Sequence, residues 1–188
     1  EAVILPLMDD AASALSLTGA KIAMVQLPDY QRIEEAGSTI LLSEQVVSHW
    51  IDLENDPAHV GRMAYSSLKS GVGITGEKVR SAREIAAEFT NSIDAILAAH
   101  DVIILPTTMT TAPAFSDFDS GEPVWTAMRT IPFNLSGHPA LTVPAGFHQS
   151  LPLGMQIVGA RGADALVLKI GAAFEAATDH GALRPYWA

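Results

Sequence analysis

A chain of 188 residues with 48% hydrophobic and only 17% charged residues is core-rich and globular rather than disordered. Eleven basic side chains against 21 acidic ones leave a net charge of -10, which opposes phosphate backbones and anionic membrane surfaces, so nucleic acid and membrane are set aside as partners. With no cysteine, a disulfide framework, thiolate catalysis and a zinc-thiolate site are excluded.

Taken in order, Asp9 to Leu17 predicts a short helix capped by Asp9 and closed at Gly19. Lys21 to Leu27 predicts a strand that Pro28 stops. From about Arg32 the apolar set Ile33, Ala36, Ile40, Val47 and Ile51 returns at helical multiples and predicts a long amphipathic helix laid over the sheet. A break at Asn55, Asp56 and Pro57 leads to a second helix with Val60, Met63, Ala64 and Leu68 inward, ended by Gly71. Gly71 to Gly76 matches the dinucleotide fingerprint G-x-G-x-x-G letter for letter. That fingerprint needs a strand ahead of it to carry the glycines against a pyrophosphate, and here a helix precedes it, so the stretch reads as a helix-to-helix link.

Glu77 to Ala98 gives the clearest helical pattern, with Val79, Ala82, Ala86, Phe89, Ile93 and Ile96 on one face. Asp101 to Leu105 predicts a strand, Met109 to Pro123 a loop, Trp125 to Thr130 a single helical turn, and Asp164 to Thr178 a final amphipathic helix. Between them lies the stretch the chain turns on, Thr130 to Gly159. Leu141 to Val143 and Leu153 to Val158 have the length and composition of buried strands, while Pro132, Gly137, Pro139, Pro144, Gly146 and Pro152 fix the turns around them. It reads as strand, loop, strand, with a proline-stiffened wall at the rim of a sheet.

The run from Pro132 to Pro139, PFNLSGHP, placed before Val143-Pro-Ala-Gly146 and followed by Leu151 to Gly159, resembles the C-terminal half of the amidase signature family. Asp101 to Thr108, DVIILPTT, resembles that family's buried strand, which ends in Pro-Thr and opens toward the substrate pocket. The resemblance extends from the Lys21 strand to the Asp164 helix. It implies an α/β fold, a layered α/β/α arrangement in which strands from Lys21, Asp101, Leu141 and Leu153 make a mixed sheet, with residues 1–188 forming a single, incomplete domain. Family members hydrolyse a carboxylic amide to acid plus ammonia or amine through a serine acyl-enzyme. Their nucleophile, second serine and lysine all belong to the N-terminal half, which this sequence does not contain.

The resemblance therefore implies no catalytic residue within these 188 and an isolated chain that is inactive. The expected partners are a small-molecule amide and the N-terminal half of the same enzyme; self-association is left open. No cofactor is expected. No apolar run of about 18 residues is present, and Glu1 to Pro6 has neither a basic segment nor a small-residue cleavage site, so a cytoplasmic location is the expectation.

For substrate binding, Thr107 and Thr108 would sit at the mouth of the pocket. Trp125, Ile131 and Phe133 would line an apolar side, although core packing suits Phe133 equally. Arg129, the basic group of this neighbourhood, would bind a substrate carboxylate or form a surface ion pair. Asn134, an amide between Phe133 and Leu135, needs its hydrogen bonds met, either by fastening its own loop or by contacting a substrate amide.

Three other candidates carry less. Ser66 and Lys69 form S-x-x-K on one helical face, yet the Ser-Asp-Asn and Lys-Thr-Gly that accompany this motif in penicillin-binding enzymes are absent. Ser136 and His138 have no G-x-S-x-G elbow around them, and the family resemblance makes these positions variable loop residues, which implies a structural role for Ser136 and a surface place for His138. The six histidines are scattered singly and H-E-x-x-H is missing, so no metal site is expected. The family's glutamine-dependent branch recognises glutamine through an arginine and an aspartate. The matching positions are Ser66 or Ser67 and Ala127, so the resemblance favours an amidase for a more apolar amide over a glutamine-dependent amidotransferase.

Overall fold

The computed structural model describes residues 2–50, 54, 60–120, 124, 126 and 128–182. At its centre are three strands, β1 (Val102–Pro106), β2 (Ala140–His148) and β3 (Leu151–Gly159), in the order β1-β3-β2. β3 takes the middle because it is apolar on both faces: Leu153, Met155 and Ile157 are buried on one, Val158 and the lone amide Gln156 lie buried beyond the reach of solvent. Both pairings are antiparallel, where a mixed sheet was expected.

The turn between β2 and β3 is two residues long. Gln149 and Ser150 have φ of 48° and 66°, the left-handed pair that a type I′ hairpin turn requires. Prolines that read as loop instead lie inside strands. Pro144 is tolerated because β2 is an edge strand whose outer row of N–H groups needs no partner, and a bulge between Pro144 and Gly146 absorbs the irregularity.

Helices cover both faces of this sheet. On one side, α1 (Ile4–Leu17) and α6 (Asp164–Ala177) bring Ile4, Leu7, Leu15 and Phe174 onto Val143, Met155 and Ile157. On the other, α2 (Tyr30–Ser48) and α4 (Gly76–Leu97) set Ile33, Ala36 and Ile40 against Ala82, Phe89 and Ile93, with Ile103 and Val158 beneath. The result is the layered α/β/α arrangement. A short helix, α3 (Arg62–Lys69), precedes the glycine link, and another, α5 (Ile131–Ser136), precedes β2.

Several local expectations are corrected. Lys21 to Leu27 forms no strand; Ile22 is exposed and Met24 is 97% exposed. The first helix begins at Ile4 rather than Asp9, because Ile4 and Leu7 extend its buried stripe. Of the residues expected inward on α3, Leu68 alone is buried among those described, while Met63 and Ala64 are exposed. The helical turn expected before Thr130 falls one step later: Met128 bridges Thr108 in antiparallel fashion, and α5 follows with Pro132 in its first turn and Gly137 closing it at φ 69°. The break at Asn55 to Pro57 and the helical position Ile51 lie outside the described residues.

Candidate functional site

β1 runs out of the sheet at Pro106, and the segment beyond it is held by main-chain bonds. The Thr107 amide donates to the Gly154 carbonyl at 2.9 Å, and the Thr107 carbonyl accepts from the Arg129 amide at 2.8 Å. The Arg129 carbonyl in turn accepts from Gln156 Nε2 at 3.0 Å. This last bond explains the amide buried in β3: Gln156 ties the strap that carries Arg129 to the central strand. A single polar residue inside an apolar strand run is the signal that could have found it, and the reading of the sequence passes over it.

Thr107, Thr108 and Arg129, predicted separately, are thus brought together by the strap. The Thr107 and Thr142 hydroxyls face each other at 3.2 Å across an uncovered end of the sheet, and Thr108 Oγ1 donates to the Thr110 carbonyl at 2.8 Å. The Arg129 guanidinium lies over the Tyr30 ring, 3.7 Å from its centroid, and the Tyr30 hydroxyl donates to the Met128 carbonyl. Burial raises the Tyr30 phenol above its ordinary value; the neighbouring Arg129 pulls it back and Glu34 adds to the rise. Ile131 points elsewhere. It is buried against α2 at Gly37, where a Cβ would overlap its Cγ2 methyl, so glycine is what lets α5 pack this close. Asn134 is exposed on α5, and Trp125 lies outside the described residues.

Beside Arg129 opens a cleft of about 280 Å³. Ile4 and Met8 of α1, Leu105 of β1, Met109, Pro132 and Phe133 form its walls, and Tyr30 and Arg129 lie among them. Such a site offers shape and one cation. A second groove, wider and about 660 Å³, runs between the end of α2 and the glycine link, with Val47, Trp50 and Val72 along it. The link itself joins α3 to α4 with no strand feeding it, and a Cβ on Gly71 would overlap the Leu42 carbonyl.

His138 is corrected from surface to core, its side chain fully buried. Its Nδ1 lies 2.8 Å from Ser136 Oγ and its Nε2 3.2 Å from Asp94 Oδ1, while Arg161 donates to the other Asp94 oxygen at 2.7 Å. Since a carboxylate only accepts, Nε2 carries the proton and Nδ1 accepts from the serine. Desolvation lowers the His138 pKa below its usual 6.5, with Asp94 opposing. Serine, histidine and aspartate are in line, but Ser136 and His138 are each 5% exposed, so a substrate carbonyl has no approach. The series ties α4, α5 and the start of β2 together. Lys69, the other candidate base, holds its ammonium over the Tyr65 ring at 5.9 Å. Among the described residues no cluster of three His, Asp or Glu could hold a metal, and no helix is long and apolar enough to cross a membrane.

A family model described as Amidase matches residues 2–168, and the chain belongs to the amidase signature family. The A subunit of the glutamyl-tRNA(Gln) amidotransferase of Streptococcus agalactiae is 36% identical over 111 residues, which is 56% of this chain and 22% of that protein. Its counterpart from Bacillus cereus is 39% identical over 109 residues, 54% of this chain and 21% of its own length. Among solved structures, an amidase aligns with a TM-score of 0.78 at 23% identity over 91% of this chain and 41% of its own. A bacterial aryl acylamidase of the same family aligns at 0.75 and 23%, over 94% and 40%. The chain therefore spans about a fifth of the curated relatives' length in the matched segment and about two fifths of the solved structures.

Proposed function

We propose that these 188 residues form the substrate-facing wall of an amidase whose serine nucleophile is supplied by further polypeptide. The observation that carries this reading is the strap itself. Thr107, Thr108 and Arg129 are locked together at the open end of β1, beside an apolar cleft, while the described serine and histidine that meet in hydrogen bonding are sealed from substrate. That division supports a part that recognises and a separate part that reacts.

In the complete enzyme a serine oxygen would attack the amide carbon, the amine or ammonia would leave with a proton, and water would release the acid from the resulting ester. This chain's contribution is positional. The Thr107 and Thr142 hydroxyls offer donors and acceptors to a bound amide, Arg129 a positive charge, and Trp125 together with Asn134, which is exposed on α5, completes the set proposed to contact substrate. Holding the amide against the nucleophile is worth a large share of the barrier. A cytoplasmic setting and a partner in the N-terminal half of the same enzyme belong to this proposal.

The test is intact mass after treatment with a fluorophosphonate serine probe, combined with ammonia release from apolar amides. No adduct on the chain alone, with label and ammonia appearing when the N-terminal half is supplied, is the expected result. An adduct on the 19.9 kDa chain alone would overturn the proposal and direct peptide mapping to Ser66 and Ser136. A second reading, a glutamine-dependent amidotransferase component, is favoured by the curated relatives from Streptococcus agalactiae and Bacillus cereus, both of which belong to amidotransferases. Ammonia released from glutamine in preference to apolar amides would select it; ligand binding without turnover under any complementation would select a non-catalytic scaffold.

A further inference from the structure

We infer that the cleft beside Arg129 is a binding site for a small carboxylate bearing one aromatic or similarly compact apolar group. The inference deepens the amidase reading, on which it rests only in taking this side of the chain to meet substrate; it concerns binding and needs no turnover.

Size sets the first limit. A dry apolar cavity of about 150 Å³ accepts benzene. At about 280 Å³ the cleft has room for a ring and a short tail of about three further atoms. Its walls are preformed, because each comes from an element anchored elsewhere: Ile4 from α1, Phe133 through its edge-on contact with Phe89 at 6.0 Å, and Leu105 from β1.

Charge sets the second limit. Among the described residues that line the cleft Arg129 is the charged one and none is a carboxylate, in a chain whose net charge is -10. The Tyr30 ring holds the guanidinium itself, and the residue's main chain is fixed at both ends, its amide donating to the Thr107 carbonyl and its carbonyl accepting from Gln156. A stacked guanidinium still presents its in-plane N–H donors, and their fork matches a carboxylate. Glu34, one turn along α2, bears on the Tyr30 phenol and is not part of the lining. An amine would be repelled by this wall and an alcohol would use only its apolar part.

The experiment is a calorimetric titration of the 188-residue chain with 3-phenylpropionate, 3-phenylpropanol and 3-phenylpropylamine, while the Met8 and Met109 methyl resonances are followed by NMR. The carboxylate is expected to bind at least tenfold tighter than the alcohol and to move both methyls, and the amine not to bind. Arg129→Met should bring the carboxylate down to the alcohol's level with the alcohol unchanged, Arg129→Lys should keep part of the difference, and Met109→Trp, which fills the cleft, should abolish binding of all three. Equal affinity for acid and alcohol, binding that leaves both methyls unmoved, or no binding at millimolar ligand would each overturn the inference. Should the isolated chain lack a cooperative melt, the titration is made on the chain reconstituted with the N-terminal half, with the same outcomes. Binding that holds while amide hydrolysis fails even with the N-terminal half supplied would sink the amidase reading and leave this one standing.

Discussion

Lys21 to Leu27 and Leu151 to Gly159 look alike as strings of residues. Both are short, rich in Ile, Val, Leu and Met, and stopped by proline or glycine. One becomes the central strand, paired along both edges, with Met155, Ile157 and Val158 wholly buried. The other has no strand at all, and its Met24 is 97% exposed. Strand propensity is therefore a capacity to fit between neighbours rather than a property of the segment. β3 has β1 and β2 on its flanks and helices above and below. Lys21 to Leu27 follows α1 and pairs with neither outer strand of the described sheet, β1 or β2.

The largest effect separating the two stretches should come from the middle of β3. Ile157→Ala removes a fully buried side chain from the cluster that also holds Leu15, Val143 and Phe174, and a cost of about 2–5 kcal/mol in urea unfolding is expected. A loss below about 1 kcal/mol would mean that this face of the sheet is not close-packed. Next is Gln156→Leu. The new side chain suits the strand, but it leaves the Arg129 carbonyl without its Nε2 donor. About 1–3 kcal/mol should be lost, and amide hydrogen exchange should quicken at Thr107 and Arg129 while β2 stays protected. Uniform quickening would show that Gln156 supports the whole sheet instead of the strap.

A smaller effect is expected where β2 enters the sheet. His138→Leu leaves Asp94 still paired with Arg161 and partly solvated, so the chief loss is the buried Ser136 partner, about 1 kcal/mol. The same residue gives a pH signature. Its folded pKa is depressed, so below 6.5 the unfolded chain takes the proton first, and stability that is complete above that value falls as the pH drops, until the folded state is protonated too. Melting temperature should fall between about pH 7 and pH 5, and His138→Leu should flatten part of that slope. An identical slope in the variant would assign the pH dependence to other groups.

How much of this was legible follows from the same physics. α4 could be read almost to the residue, because a helix that buries one stripe writes that stripe at its own period: Ala82, Ala86, Phe89 and Ile93 are buried as read, while Val79 and Ile96 are half-buried and Leu97 closes the stripe instead. The hairpin was half legible. Its apolar strands stood out, but Pro144 and Pro152 disguised its length: Pro144 sits on the edge strand β2, and Pro152 near the start of β3, beyond the reach of its pairing with β1. Thr107, Thr108 and Arg129 were found individually, yet the cleft that Arg129 lines was not, because it joins Tyr30 to a carbonyl 98 positions away and draws part of its wall from α1. His138 was misplaced for the same reason. Its flanking Gly137 and Pro139 suggest an exposed turn, whereas the carboxylate that makes burial tolerable sits 44 positions earlier on α4.

The smallest expected effect is the sharpest test of the difference between Lys21 to Leu27 and β3. Met24→Pro puts a residue with no N–H donor at the middle of the first stretch. In a paired strand that change removes a ladder bond and costs about 3 kcal/mol or more, as it would in β3. In an extended, solvated segment it costs about 0.5 kcal/mol or less, and the stiffer unfolded chain offsets part of that. Urea unfolding of the 188-residue chain should therefore be nearly unchanged. A loss above about 2 kcal/mol would mean that the stretch is a paired strand in solution after all. If that loss grew with protein concentration, the pairing would be with a second copy of the chain; if it did not, the pairing would lie within one chain, and the contrast between the two stretches would have to be given up.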